Sequence, residues 1–253
     1  MSESKWIITD QVYKGSMDEA VEQWVNWLEG DKTKYVCFAN VHMTVEAIER
    51  NEFGQVLQDA DMICADGQPL VWLNNRLNKQ RTQRISGMDA LPVMLDVAEE
   101  KGISCFFYGG TDEMLVGLSD WLSEKHSKLI YQTYSPPFGP LTKMNFEEEA
   151  DRINDGAPKW IFVVLGCPKQ EEWMWNMRDR IQGVMFGVGG ALPVLIGMQK
   201  RAPLWMQKNG LEWLFRLIQE PRRMWKRYFW TNTVFLMWVL RLMLFSKKKK
   251  ESC

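Results

Sequence analysis

Short apolar runs rich in β-branched and aromatic residues alternate along this chain with longer stretches in which apolar positions recur every three or four residues. The short runs are Tyr35–Ala39, Met62–Ala65, Ser104–Tyr108, Leu129–Tyr134, Trp160–Leu165 and Val184–Val188. Their length and composition predict strands. Between them the spacing predicts helices over Asp18–Leu28, Met43–Arg50, Met88–Lys101, Glu113–Lys125, Phe146–Asn154 and Lys169–Arg180. Over Asp18–Leu28, for example, Ala20, Val21, Trp24, Val25 and Leu28 share one face, and Glu19, Glu22 and Gln23 lie off it. Alternation of this kind predicts βαβ units: an α/β, Rossmann-like, mainly parallel sheet flanked by helices. The strand pattern stops at Ala202. Beyond it Pro203 opens one helix, Gly210 punctuates and Pro221 begins another at its first turn. The expected division is an α/β domain over residues 1–200 and a helical appendage over residues 201–253.

In a parallel sheet, ligands bind beyond the carboxyl ends of the strands. Asn40 follows the first run, Asp66-Gly67-Gln68 the second, Gly109-Gly110 the third and Ser135-Pro136-Pro137 the fourth. Gly166-Cys167-Pro168-Lys169-Gln170 follows the fifth, and Gly189-Gly190 the sixth. Turn chemistry explains any one of these, but the set predicts a binding rim. Asp66 fits two roles: a general base placed to take a proton from a hydroxyl, or a cap for a helix starting at Gly67-Gln68-Pro69. Arg84, just before the helix expected near Gly87, fits a phosphate clamp or an ion pair with a surface acid. Residues 166–171 form a strand–turn–helix junction whose amides suit an anion. Gly187-Val-Gly-Gly190 lacks the full dinucleotide fingerprint. Asp59-Ala60-Asp61 has the form of a metal-binding DxD, yet Asp61 belongs at the amino end of its strand, roughly 15 Å from Asp66 at about 3.3 Å per residue. Cys167 has no His close in sequence to activate it. His126 is expected at the surface, and His42 reads as a helix-start residue.

Charge adds a second theme. The chain of 253 residues carries a net charge of −1, but residues 200–250 hold thirteen Lys/Arg against two Asp/Glu, with five Trp, whereas residues 1–199 hold 18 Lys/Arg against 29 Asp/Glu. An acidic body with a basic, aromatic end suggests an anionic surface, either lipid or nucleic acid. Buried Trp and an acidic body oppose nucleic acid, whose binding rests on many phosphate contacts. Residues 229–245, a mainly apolar stretch interrupted by Arg241, reach about 26 Å as a helix, short of the ~20 apolar residues a span needs. With Trp230, Trp238 and Lys247–Lys250 they read as an interfacial helix on an anionic membrane. Hydrophobic content of 46% is that of an ordinary folded protein, and five Cys without a CxxC pair imply reduced thiols. The opening MSESKWIITD shows no basic stretch followed by an apolar core, so no secretory signal is expected.

Taken in order, several of these segments resemble a known family. They are Ala39-Asn40-Val41, Ala65-Asp66-Gly67, Arg84-Ile-Ser-Gly87-Met-Asp89, Phe107-Tyr-Gly-Gly110 and Ser135-Pro-Pro-Phe-Gly139, then Leu165-Gly-Cys-Pro-Lys-Gln-Glu171 and Gly187-Val-Gly-Gly190. Lys200-Arg-Ala-Pro203, Gly210-Leu-Glu-Trp-Leu-Phe-Arg216 and Gln219-Glu-Pro-Arg-Arg223 complete the series. The chain resembles the WecG/TagA/CpsF glycosyltransferases (glycosyltransferase family 26). The resemblance implies transfer of one sugar from a UDP-sugar to an undecaprenyl-diphosphate-linked glycan, with inversion and without metal or cofactor. An N-acetylmannosamine-type sugar is the default. Asp66 would be the base; Asn40, Arg84, Gln170, Gly189 and Gly190 would hold nucleotide and acceptor. Arg216, Arg222, Arg223 and Arg227, with Lys226, would close on the lipid diphosphate. Where many members carry Thr, this chain has Phe38, which puts a hydroxyl contact there in doubt. The implied setting is peripheral, on the cytoplasmic face of the bacterial plasma (inner) membrane, and a homo-oligomer is compatible with it. A non-catalytic, membrane-tethered nucleotide- or lipid-binding module is the alternative.

Overall fold

The computed structural model describes residues 11–78 and 81–251. Its centre is a six-stranded, wholly parallel sheet: β1 (Lys34–Ala39), β2 (Met62–Ala65), β3 (Cys105–Gly109), β4 (Tyr131–Tyr134), β5 (Trp160–Val164) and β6 (Val184–Gly187), in the order β2-β1-β6-β5-β3-β4. Each matches a predicted run. The largest difference is at β4, where Leu129 and Ile130 lie outside the strand. There Leu129 N closes a turn on His126 O (3.0 Å), and Ile130 O accepts from Cys105 N (2.8 Å) as the chain enters the sheet.

Six of the helices occupy the predicted stretches: α1 (Met17–Asn26), α2 (Val41–Glu49), α5 (Gly87–Lys101), α6 (Asp112–Lys125), α7 (Phe146–Asp155) and α8 (Lys169–Met177). Polar caps fix their starts. Ser16 Oγ accepts from Glu19 N while Ser16 N donates to Glu19 Oε2, a reciprocal capping box on α1. Asn40, Ser86 and Thr111 cap α2, α5 and α6 in the simpler way. Two further helices stand among the strands: α3 (Asn51–Gln58), outside the predicted stretches, and α4 (Gln68–Asn78), which begins where the capping reading of Asp66 places a helix. Gly54 in the middle of α3 disfavours a helix on propensity, but a β-carbon there would stand 3.3 Å from Ala47 O, so its absence lets α2 and α3 approach closely.

Both faces of the sheet are buried. Trp24, Phe107, Trp160, Phe162 and Phe186 fill the side covered by α1, α5 and α6. Phe106, Tyr108, Ile161, Trp173 and Met174 fill the other, beneath α2, α3 and α8. Phe38 belongs to the first layer, edge-on to Trp24 at 6.2 Å and packed beneath Gly87 at the start of α5. His126 is buried rather than exposed: its ring packs on Trp121 and its Nδ1 lies 3.3 Å from Glu99 Oε2.

After the short α9 (Ala191–Leu195), three helices return over the carboxyl ends of the strands: α10 (Leu204–Lys208), α11 (Glu212–Gln219) and α12 (Pro221–Glu251). α12 is apolar on two opposite faces. Met224, Thr231, Phe235, Trp238 and Leu242 recur at helical spacing and are buried, the last three in the core beside α2. Trp225, Phe229, Leu236 and Leu240 recur on the far side and are exposed, Phe229 by 72%. The helix expected to lie at an interface is docked on the protein along one face. No helix among the described residues is long and apolar enough to cross a membrane.

Candidate active site

Asp66 stands at the end of β2 with both main-chain polar groups held. Its N–H donates to Ala39 O (2.8 Å), and its carbonyl accepts from Arg84 Nε (2.8 Å). The α4 turn below closes on itself, with Leu70 N donating to Gly67 O (3.0 Å). No hydrogen bond among the described residues ties the Asp66 carboxylate to that turn, so the side chain lines a cavity rather than capping α4. Burial pushes its pKa up to about 6, opposed by Arg84 and Arg216 and reinforced by Glu212 and Asp89. A carboxyl group tuned to that range is mostly ionised at neutral pH and still basic enough to take a proton.

Arg84 is the bracket of this corner. Besides the Asp66 carbonyl it donates from Nη1 to Asp89 Oδ2 and from Nη2 to Glu212 Oε2, both at 2.9 Å. Asp89 also accepts from Ser86 Oγ (2.6 Å) and from Arg201. Against the penalty of burial, the Ser86 and Arg201 hydrogen bonds and the Arg84 charge hold Asp89 below the usual carboxylate range. One guanidinium thus joins β2, the start of α5 and the start of α11. Of the two readings of Arg84, the geometry carries the ion pair, and Arg84 does not line the cavity.

The cavity, of about 590 Å³, lies between the rim, α4 and α12. Asn40, His42, Asp66, Gln68, Arg216 and Arg227 make its polar end. Asn40 Oδ1 accepts from Met43 N (3.2 Å) as the α2 cap, which leaves the amide nitrogen for a ligand. Burial and the Arg227 charge push His42 down to about 4 against a hydrogen bond to the Cys167 backbone, so it is neutral at physiological pH. Arg216 reaches back from α11 to the rim: a β-carbon at position 190 would stand 3.4 Å from both its terminal nitrogens.

Gln170 works one layer below. Its amide nitrogen donates to Glu171 Oε1 (2.7 Å) and Gly187 O (2.9 Å), and its oxygen accepts from Gly166 N (3.1 Å). Gly189, at φ +40°, makes room for it, since a β-carbon there would lie 2.7 Å from the Gln170 oxygen. Gln170 and Gly189 therefore lock the β5 and β6 loops together beneath the rim. Burial pushes the neighbouring Glu171 up to about 7, opposed by its Gln170 hydrogen bond.

The basic residues of α12 separate. Arg227 faces the cavity, whereas Arg222 and Lys226 are exposed on the side of Trp225 and Phe229. The side chains of Arg223 and Lys247–Lys250 lie outside the described residues. At the opposite end of β2, Asp61 is engaged with Lys34 Nζ (2.7 Å) and Tyr35 N (3.0 Å), and Asp59 accepts from Trp175 Nε1 (2.8 Å). Cys167 is half-buried, and burial, with Glu171 beside it, holds its thiol neutral, as a nucleophile would not be. Glu212 is the site residue that the sequence reading left without a role, although its Gly210–Arg216 segment stands out.

The family model described as "Glycosyl transferase WecG/TagA/CpsF family" matches residues 6–249. Among similar curated proteins is one from Bacillus spizizenii, 31% identical over 202 residues, covering 79% of this chain and 77% of that protein. A Bacillus subtilis (strain 168) protein is 32% identical, covering 74% and 72%. A Staphylococcus aureus (strain MW2) protein is 28% identical, covering 76% and 73%. All three are named N-acetylglucosaminyldiphosphoundecaprenol N-acetyl-beta-D-mannosaminyltransferase.

Proposed function

The chain belongs to the WecG/TagA/CpsF glycosyltransferase family and is a glycosyltransferase; from that premise we propose that it moves an N-acetylmannosamine-type sugar from a UDP-sugar to N-acetylglucosamine carried on undecaprenyl diphosphate, in assembly of a bacterial cell-surface polymer. The names of the relatives supply the acceptor and the sugar. The observation that carries the chemistry is Asp66: a carboxylate with both main-chain groups fixed, raised to about 6, at the polar end of a cavity that also holds Arg216 and Arg227.

In the proposed reaction the acceptor hydroxyl oxygen attacks the anomeric carbon and Asp66 takes its proton. The bond from that carbon to the UDP oxygen breaks, and UDP leaves with the electron pair. A double displacement would need a second, nucleophilic carboxylate. Among the described residues lining the cavity the other carboxylate is Glu212, already paired with Arg84, which favours one displacement and inversion. Arg216 and Arg227 are the cations suited to the acceptor diphosphate. Cationic side chains can neutralise phosphate charge without a divalent ion, and Asp59 and Asp61 are occupied elsewhere, so a metal-independent reaction is part of the proposal.

Arg222 and Lys226, beside exposed Trp225 and Phe229, suit anionic headgroups and aromatic burial at an interface. The enzyme would sit peripherally on the cytoplasmic face of the plasma membrane. A donor panel tests the function: UDP release is measured for a series of UDP-sugars with an N-acetylglucosamine-diphosphate lipid. Acceptor-dependent release with UDP-N-acetylmannosamine is expected, and release that ignores the lipid acceptor would refute the assignment.

A further inference from the structure

Beyond Arg227 the cavity changes character. Trp72 of α4 and Phe235, Val239 and Met243 of α12 make this part mainly apolar, with Arg76, Thr231 and Asn232 as its polar members. From Arg227 to Met243 the helix lines it for roughly 24 Å at about 1.5 Å per residue. Trp72 and Leu236 line this stretch yet are 55% and 61% exposed, so it is a groove with apolar lips. One end of the groove lies at Asp66, Arg216 and Arg227; toward the other, Leu236 belongs both to the lining and, with Leu240, to the exposed apolar face of α12.

We propose that the apolar length of this groove, between α4 and α12, seats the first isoprene units of the acceptor's polyprenyl chain. The inference rests on the lipid-diphosphate acceptor proposed above. Two features of the groove commit it to that occupant. Its polar end carries the two arginines that complement a diphosphate, so a lipid held there by its head enters the groove tail first. Its far end meets the face of α12 that suits a bilayer, so the rest of a long chain can stay in the membrane. A UDP-sugar has no apolar tail to fill such a groove, and a free sugar phosphate would leave it empty.

The test uses the full chain, without detergent or liposomes, and N-acetylglucosamine-diphosphates bearing C5, C10, C15 or C20 isoprenyl chains below their aggregation concentrations. Each buried methylene adds up to roughly fourfold in affinity. Transfer at subsaturating acceptor is therefore expected to rise at least ~100-fold from C5 to C15 and then level off as the groove fills. In Val239→Trp, with an indole placed in the groove, the C15-to-C5 ratio should fall at least tenfold. A flat chain-length series in the unaltered enzyme would overturn the groove, since it would mean that the chain matters only through the bilayer. So would a Val239→Trp enzyme with an unchanged ratio. If that variant does not fold, the unaltered series decides alone. Absence of transfer to every chain length, persisting when liposomes are restored, would instead bring down the acceptor assignment, and the groove proposal with it.

Discussion

Replacing Asp66 with Asn should make the protein more stable and nearly inactive. The carboxyl is raised from 3.8 to about 6 in the fold, chiefly by burial. Each unit corresponds to about 1.4 kcal/mol, so the ionised group costs the folded state about 3 kcal/mol. The sign follows from proton uptake. Between pH 3.8 and about 6 the folded state keeps a proton that the unfolded chain has released, so stability falls as pH rises through that window. The cost is complete above it and absent below it. Asn has nearly the same shape and no charge to desolvate. Urea denaturation followed by Trp fluorescence should show Asp66→Asn more stable by about 3 kcal/mol at pH 8, the gap narrowing to about 1 kcal/mol at pH 4.5. Glycosyl transfer should fall at least ~10²-fold. An Asn variant no more stable than the parent at pH 8 would refute the idea that the site holds a desolvated, pKa-raised carboxylate. Undiminished transfer would refute its role as base.

Arg84→Gln leaves Asp89 and Glu212 without their shared cation and, with both carboxylates partly exposed and Asp89 still held by Arg201, should cost about 1–3 kcal/mol in a denaturant titration. Adding Glu212→Gln should recover part of that loss, and failure to do so would contradict the bracket between β2 and α11. Phe229→Glu with Leu240→Glu alters only exposed positions of α12 and should lower sedimentation with anionic liposomes at least tenfold; unchanged sedimentation would sink the interfacial role of that face. Transfer in EDTA should equal transfer without it. A loss restored by manganese would show that a divalent ion completes the site.

The sheet was readable because parallel strands buried on both faces are nearly continuous apolar runs, and their lengths agree with the structure to within about two residues at either end. α3 was hidden by Gly54, whose value lies in contact with α2 and not in helix propensity. α4 begins at Gln68-Pro69, directly behind the rim, where a turn reading competed with it. The docking of α12 was hidden for a different reason. Its apolar residues lie on two opposite faces, so the sequence displays a hydrophobic helix without saying which face meets protein. Asp66 and Asn40 were legible because strand ends can be located from the strands. Arg84 was legible as a charged residue near the rim, but its partner Glu212 is 128 residues away and only the fold brings them together. The basic residues following Pro221 read as one cluster, and helix geometry divides it, sending Arg227 inward and Arg222 and Lys226 outward.

The most direct test of the central claim is the pH dependence of sugar transfer from UDP-N-acetylmannosamine to an N-acetylglucosamine-diphosphate polyprenol, with the lipid-linked product isolated and its new anomeric linkage assigned by NMR. The expected result is a lipid-linked disaccharide of inverted configuration, formed with an acidic limb in kcat/KM near pH 6 that Asp66→Asn abolishes along with the activity. A retained configuration, or an acidic limb that survives in Asp66→Asn, would contradict a single displacement driven by the Asp66 carboxylate.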